Sequence, residues 1–221
     1  MTSSVDASVV CANVQDIRER IREHVSVRGN DVSLVAVTKT RDFVAIEAAR
    51  QCGCDAVGEN YAQELRDKVV GHEMSIPVHF IGAIQTNKIK LVADVVDVWQ
   101  SVDRQSVIDE LVRRCPRPPR VLLQVNTTGE SSKHGCHPRD VDALRAYSES
   151  NGVVIEGFMT MGPTSEDRQV ARLAFRQLRQ LTDEHGLSVC SMGMSGDYLV
   201  AVDEGSTMVR IGQAIFGPRT Q

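Results

Sequence analysis

The sequence predicts an α/β fold: a single parallel (β/α)8 TIM barrel preceded by one extra N-terminal helix. Short apolar runs rich in β-branched residues alternate with amphipathic helical patterns along the whole chain. Eight such runs can be counted, and right-handed βαβ crossovers would place them in parallel. The 221 residues leave roughly 24 per βα unit, which is tight but workable for a barrel. An open doubly wound sheet is the alternative, although no G-x-G-x-x-G turn follows the first strand.

Each element follows from the local pattern. A helix is predicted over residues 5–27, where apolar residues recur at helical spacing between charged ones. The run 32–37 is short, apolar and β-branched, as in strands that are buried on both faces. The same two patterns then alternate to the end of the chain. Further strands are predicted at 56–58, 78–82, 95–98, 121–125, 155–159, 188–192 and 209–216. Further helices are predicted at 43–51, 62–70, 88–93, 107–114, 141–150, 166–185 and 198–204.

Composition excludes several classes of function. The formal charge of −4 gives no basic surface for nucleic acid or for an anionic membrane. No apolar run approaches the eighteen or so residues of a transmembrane helix, and residues 1–12 do not resemble a signal peptide. We therefore expect one cytoplasmic domain over residues 1–221, working as a monomer.

The cysteines suggest neither disulfides nor a metal site. There are six, and in a chain of this length without a secretory signal we expect reduced thiols. Cys52 and Cys54 form one cluster, and His134, Cys136 and His137 form another. Neither cluster has the second pair of ligands that a zinc site uses, so no metal is expected.

Polar or glycine-rich segments follow the predicted strands, at the end of a barrel where active sites lie. Lys39 comes directly after the first strand. A lysine at the edge of a buried strand must find partners or lose its proton, and an unprotonated lysine can form a Schiff base with a carbonyl compound. The alternative is a lysine that extends to solvent.

Two loop segments suggest a phosphate site, and a buried arginine suggests a ligand that is anionic or accepts hydrogen bonds. Ser195 and Gly196 precede a short helix, and the segment 205–207 precedes the last strand; both could hold phosphate through backbone N–H groups, or could be ordinary turns. Arg210 lies within an apolar strand and cannot lose its charge. It therefore needs either a ligand or an internal partner such as a glutamate.

These residues lie within motifs that resemble the YggS/PROSC family of pyridoxal 5′-phosphate (PLP) binding proteins. The matching motifs run in order through nearly the whole chain. They are LVAVTKT (34–40), GENY (58–61), HFIGAIQTNK (79–88), LQVN (123–126), ESSKHGC (130–136), GFMTM (157–161), SMGMSGD (191–197), EGSTMVRIG (204–212) and AIFG (214–217).

The resemblance implies a barrel like the N-terminal domain of fold-type III PLP enzymes such as alanine racemase. Lys39 matches the lysine that forms the Schiff base, and Arg210 matches the arginine that faces the pyridine nitrogen. The phosphate would be held by the segments that contain Met194, Ser195, Thr207 and Gly212. The cofactor pocket would also include Asn60 and His79.

The function implied is PLP homeostasis, as a carrier or buffer with little or no amino-acid catalysis. An arginine at the ring nitrogen disfavours its protonation and weakens the ring as an electron sink. Racemases with the same arginine add a base from a second domain, for which this chain has little room. Expected partners are PLP, other B6 vitamers, amino acids and apo forms of PLP enzymes. The alternatives are a low-activity racemase or decarboxylase, with a base among Tyr61, His134 and Cys136, and a cofactor-free aldolase.

Overall fold

The computed structural model describes residues 6–25, 31–165 and 167–218. Its strands are β1 (Ser33–Val37), β2 (Ala56–Glu59), β3 (Val78–Phe80), β4 (Val98–Val102), β5 (Arg120–Gln124), β6 (Val154–Met159), β7 (Val189–Ser191) and β8 (Met208–Ile211). Its helices are α1 (Ala7–His24), α2 (Phe43–Gln51), α3 (Ala62–Val69), α4 (Thr86–Ile89), α5 (Gln105–Arg114), α6 (Val141–Ser150), α7 (Arg168–Glu184), α8 (Tyr198–Asp203) and α9 (Gln213–Phe216), with a 3₁₀ turn at Pro138–Asp140.

The strands form a closed parallel barrel in sequence order. Closure comes from the pairing of β8 with β1, in which Met208 lies opposite Ser33 and Ile211 opposite Ala36. The predicted (β/α)8 barrel with an extra N-terminal helix is thus confirmed, and the open-sheet alternative is wrong. Within the described residues, no helix is both long and apolar enough to cross a bilayer.

Strand alternation divides the buried residues into two layers. Successive side chains of a strand point to opposite faces, so alternate residues enter the barrel. A large cluster packs between the barrel wall and the helices, and a small apolar cluster, including Val35, Leu122 and Met159, fills part of the barrel interior. The rest of the interior holds polar side chains, among them Gln100 and Arg210. The barrel therefore encloses a polar region that an ordinary apolar core would lack.

Two predicted strand boundaries are wrong for local reasons. The run 95–98 reads as a strand because three of its residues are valines, yet Val95 and Val96 close the turn after α4 through bonds to the Val92 carbonyl. The true strand β4 begins at Val98 and includes two buried polar residues. The predicted strand 209–216 ends at Ile211, and Gly212 then caps the short helix α9.

Helix α1 is joined covalently to the barrel. Cys11 of α1 and Cys52 at the end of α2 form a disulfide with a Cα–Cα distance of 4.7 Å. The expectation of reduced thiols is therefore wrong for these two residues, whereas Cys54, Cys115, Cys136 and Cys190 are free. The sequence alone could not show that Cys11 and Cys52 are paired, because packing determines which face of α1 contacts α2.

Reduction of this disulfide is expected to destabilise the fold. It closes a loop with a sequence separation of 41, for which restriction of the unfolded chain contributes about 2–4 kcal/mol. The free energy of unfolding, measured by denaturant titration, should fall by this amount when dithiothreitol is added. Cys11→Ser should show the lower value with or without reductant. Equal stability of the wild type in both conditions would contradict the prediction.

Candidate functional site

Lys39 lies at the carboxyl end of the barrel, two residues beyond β1. Its side chain is half-buried and lines a cavity of about 400 Å³. Gly212, directly after β8, lines the same cavity, as do Val37 and Arg41. The neighbouring position of β1 and β8 in the closed barrel thus brings the predicted lysine and one predicted phosphate-loop glycine to a single cavity.

Arg210 points into the barrel and is 3% exposed. One terminal nitrogen donates to Ser191 Oγ at 2.5 Å, and the other donates to the Thr160 carbonyl at 2.8 Å. Burial lowers the pKa of Arg210 to about 10, so the side chain remains a cation at neutral pH. Among the described residues no carboxylate lies within ion-pair distance of it, and the glutamate partner considered from the sequence is not found.

A hydrogen-bonded chain continues from Ser191 across the barrel. Ser191 Oγ donates to Gln100 Oε1 at 2.7 Å, and Gln100 Nε2 lies 2.7 Å from Nδ1 of His79. An amide nitrogen can only donate, so Nδ1 accepts and the neutral ring carries its proton on Nε2. Burial lowers the pKa of His79 to about 4. Side chains from four strands, β3, β4, β7 and β8, are therefore joined in one hydrogen-bonded chain that fixes the orientation of Arg210 and His79.

The loops after β7 and β8 meet at the same end of the barrel. The backbone N–H of Met194 donates to Asp197 Oδ1 at 2.6 Å, which closes the turn before α8. The backbone N–H of Ala214 donates to Ser195 Oγ at 3.3 Å and connects the two loops. A Cβ on Gly212 would lie 3.3 Å from the Val37 carbonyl, so this glycine permits close packing beside Lys39's strand.

Thr207 does not belong to this group. It precedes β8, its carbonyl accepts from Ser33 N, and its hydroxyl accepts from Cys190 N at 2.8 Å. These contacts are at the amino end of the barrel, the full length of β8 away from Gly212. The predicted role of Thr207 in phosphate binding is therefore corrected: a residue before a strand lies at the opposite end from the residue after it.

Asn60 follows β2 and has a buried side-chain oxygen, Oδ1, without a hydrogen-bond partner in the described structure. Its backbone carbonyl is close to Gly82, where an added Cβ would approach within 2.1 Å. Asn60 also lines a second cavity, of about 410 Å³, with Phe80 and Trp99. A buried acceptor without a partner is costly unless a donor is supplied from elsewhere.

The residues considered as a catalytic base are poorly suited to that role. Tyr61 is 55% exposed, and His134 is exposed as well. Burial raises the pKa of Cys136 to about 12, so its thiol stays protonated at neutral pH. Two of the three are therefore exposed to solvent, and the third keeps its proton.

Sequence reasoning missed Gln100 and Ser191. Ser191 lies in a correctly predicted strand, where a polar residue with apolar neighbours was the available signal. Gln100 was missed because the predicted strand ended two residues before it. Asp197, which holds the Met194 turn, was read only as part of a loop motif.

Comparison with known proteins gives the family. The model of the alanine racemase N-terminal domain matches residues 6–220. The pyridoxal phosphate homeostasis protein of Pseudomonas aeruginosa is 38% identical over 222 residues, which cover 96% of each chain. The chain belongs to the family of pyridoxal phosphate homeostasis proteins.

Solved structures agree with this family assignment. A protein of unknown function from Bifidobacterium adolescentis superposes with a TM-score of 0.86 at 33% identity, covering 95% of each chain. PipY of Synechococcus elongatus, determined with PLP bound, gives a TM-score of 0.76 at 31% identity and covers 91% of this chain and 100% of PipY. The barrel of this family member is therefore shared with a protein known to hold PLP.

Ser191→Ala should destabilise the barrel, since it leaves both an Arg210 nitrogen and Gln100 Oε1 without a buried partner. We expect the free energy of unfolding to fall by about 2–3 kcal/mol. The control is Ser148→Ala: this serine is equally buried but donates only to the Leu144 carbonyl within α6, and its loss should cost about 0.5 kcal/mol or less. If a denaturant titration gave equal losses of unfolding free energy for the two variants, the hydrogen-bonded chain through Ser191 would not be important for stability.

Proposed function

We propose that this protein holds PLP as a Schiff base on Lys39 and acts as a carrier or buffer in PLP homeostasis. The observation that carries the proposal is the presence of Lys39 and Gly212 on one cavity at the carboxyl end of a barrel whose interior holds the buried cation of Arg210. The names of the curated relatives and the PLP-bound structure of PipY support it.

The residues present fit the cofactor. When bound, PLP supplies an electrophilic aldehyde and a ring that can accept electrons. Lys39 provides the amine: its Nζ would add to the aldehyde carbon, a C=N bond would form, and water would leave. Gly212 and Ser195 lie in two adjacent loops, and the backbone N–H groups of these loops would bind the phosphate. Asn60 lines the second cavity, and its unpartnered Oδ1 is an acceptor that a ligand reaching this cavity would satisfy.

Arg210 is the residue that we propose faces the pyridine nitrogen. A guanidinium can only donate hydrogen bonds, so it favours a ring nitrogen that is an unprotonated acceptor. A ring in this state is a weak electron sink, and carbanion chemistry on amino acids is disfavoured. We therefore propose that amino-acid turnover is weak or absent, and the unsuitability of Tyr61, His134 and Cys136 as bases supports this.

The proposed function extends to the organisation of the protein and to its partners. We propose a single barrel domain over residues 1–221 that works as a monomer in the cytoplasm. Other B6 vitamers and amino acids would compete at the site, and apo PLP enzymes would receive the cofactor. A reversible bond to Lys39 suits such exchange, because an incoming amine can replace the lysine.

Lys39→Ala tests the proposal. The wild type mixed with PLP should show a visible Schiff-base absorption that borohydride removes, with a mass increase on the peptide that contains Lys39. Lys39→Ala should show neither, since it has no amine at that position. Lys90→Ala is the control, because Lys90 is exposed and lies directly after α4, outside the lining of the Lys39 cavity. A wild type that stays colourless with excess PLP would overturn the proposal.

A further inference from the structure

A cluster of charged residues lies just outside the barrel wall, behind Lys39. It consists of Glu59 at the end of β2 with Glu64 and Lys68 on α3, and we refer to it as the Lys68 cluster. Lys68 Nζ contacts Glu59 Oε1 at 2.5 Å and Glu64 Oε1 at 2.9 Å. The Lys68 side chain is 4% exposed and that of Glu59 is fully buried. None of these three residues has a role in the function proposed above.

The cluster holds both neighbours of Lys39. Thr38 Oγ1 donates to Glu59 Oε1 at 2.6 Å, and the Thr38 carbonyl accepts from Lys68 Nζ at 3.0 Å. On the other side, the Thr40 backbone N–H donates to Glu64 Oε1 at 2.5 Å. The residues before and after the lysine are therefore both fixed from the outer face.

Thr40 adopts a conformation that requires such support. Its φ of 62° is the only positive value for a non-glycine residue in the described part of the chain. A β-branched residue is strained in this region, and such strain persists only where the surroundings enforce it. The bond from Thr40 N–H to Glu64 and the turn bond from Arg41 N–H to the Thr38 carbonyl at 3.1 Å both hold this conformation.

The path of the backbone explains how an outer cluster can act on Lys39. Thr38 N donates to the Gly58 carbonyl and so extends the β1–β2 pairing by one residue. Thr38 continues the outward-facing row of Leu34 and Ala36, and Lys39 follows it as the first residue of a turn that the bond from Arg41 N–H to the Thr38 carbonyl closes. Rotation of this segment would turn the lysine away from the cavity that it lines.

We propose that Glu64 and Lys68, acting through Thr40 and Thr38, are positioning residues that hold Lys39 for reaction with an aldehyde. Buried ion pairs contribute little net stability, so a cluster of two carboxylates and one ammonium is better explained by geometry than by stabilisation of the fold. This inference rests on the proposed function, because Lys39 must have a reaction for which it is positioned.

The test compares two ligands in Glu64→Ala. PLP can condense with Lys39, whereas pyridoxine 5′-phosphate has the same ring and phosphate but an alcohol in place of the aldehyde. The condensation rate with PLP should fall roughly tenfold, because small displacements of a reacting group are costly. The dissociation constant for pyridoxine 5′-phosphate should change less than about twofold, since the ring and phosphate contacts are untouched.

Three further variants complete the design. Glu64→Gln keeps an oxygen that can accept from Thr40 N–H, and should restore the rate to within about threefold of wild type. Glu110→Gln removes a similar carboxylate that pairs with Arg113 and Arg114 on α5, and should leave the rate unchanged. Thr40→Gly relieves the strain and folds readily, yet frees the segment, so it should also slow condensation.

The outcomes separate the inference from the proposed function. If wild type forms no adduct with PLP, the proposed function fails. If wild type forms it and Glu64→Ala and Thr40→Gly react at the wild-type rate, only the positioning role is overturned. A parallel loss of affinity for both ligands would also overturn it, because that pattern indicates general damage to the pocket.

Discussion

The structure depends on a positive charge that is buried inside the barrel and held by neutral groups, while the Asp197 carboxylate acts on it only from beyond ion-pair distance. Arg210 is held by a serine hydroxyl and a backbone carbonyl, and neither is ionised. Burial of a cation is unfavourable unless its donors are satisfied. Ser191 and Gln100 are needed for this reason, and their bonds fix the neutral His79 on the opposite wall. The polar side chains inside the barrel therefore hold the guanidinium of Arg210 in one orientation.

Successive residues of a barrel strand face opposite sides, and this gives the site an inner and an outer side. Inward-facing strand positions carry Arg210 and His79, and Lys39 lines a cavity beyond the end of β1. Outward-facing positions carry Thr38 and Glu59, which join the barrel wall to Lys68 on α3. The inner side supplies the groups that would contact a cofactor, and the outer side fixes the backbone that presents the lysine.

Much of this arrangement was predictable from sequence, and the failures have physical causes. The order and type of the elements follow from alternating apolar periodicities, and helix α2 was predicted with its observed bounds. β4 was misplaced because its inward residue Gln100 is polar. The valines before it have a more strand-like apolar pattern than the residues of β4 itself. Thr207 was assigned from the family resemblance as part of a phosphate-holding segment, although the four residues of β8 separate it from Gly212 at the other end of the barrel. The Cys11–Cys52 disulfide and the Lys68 cluster required the rotation of α1 and α3 about their axes, which only packing determines.

We propose that Arg210 faces the ring nitrogen of bound PLP and keeps it unprotonated. The ¹⁵N chemical shift of that nitrogen tests this placement, recorded with ¹⁵N-labelled PLP bound to the wild-type protein at neutral pH. We expect the shift of an unprotonated pyridine nitrogen that accepts a hydrogen bond, and its displacement in Arg210→Glu, where a carboxylate would favour a protonated ring. A pyridinium shift in the wild type would show that Arg210 does not hold the nitrogen in this state.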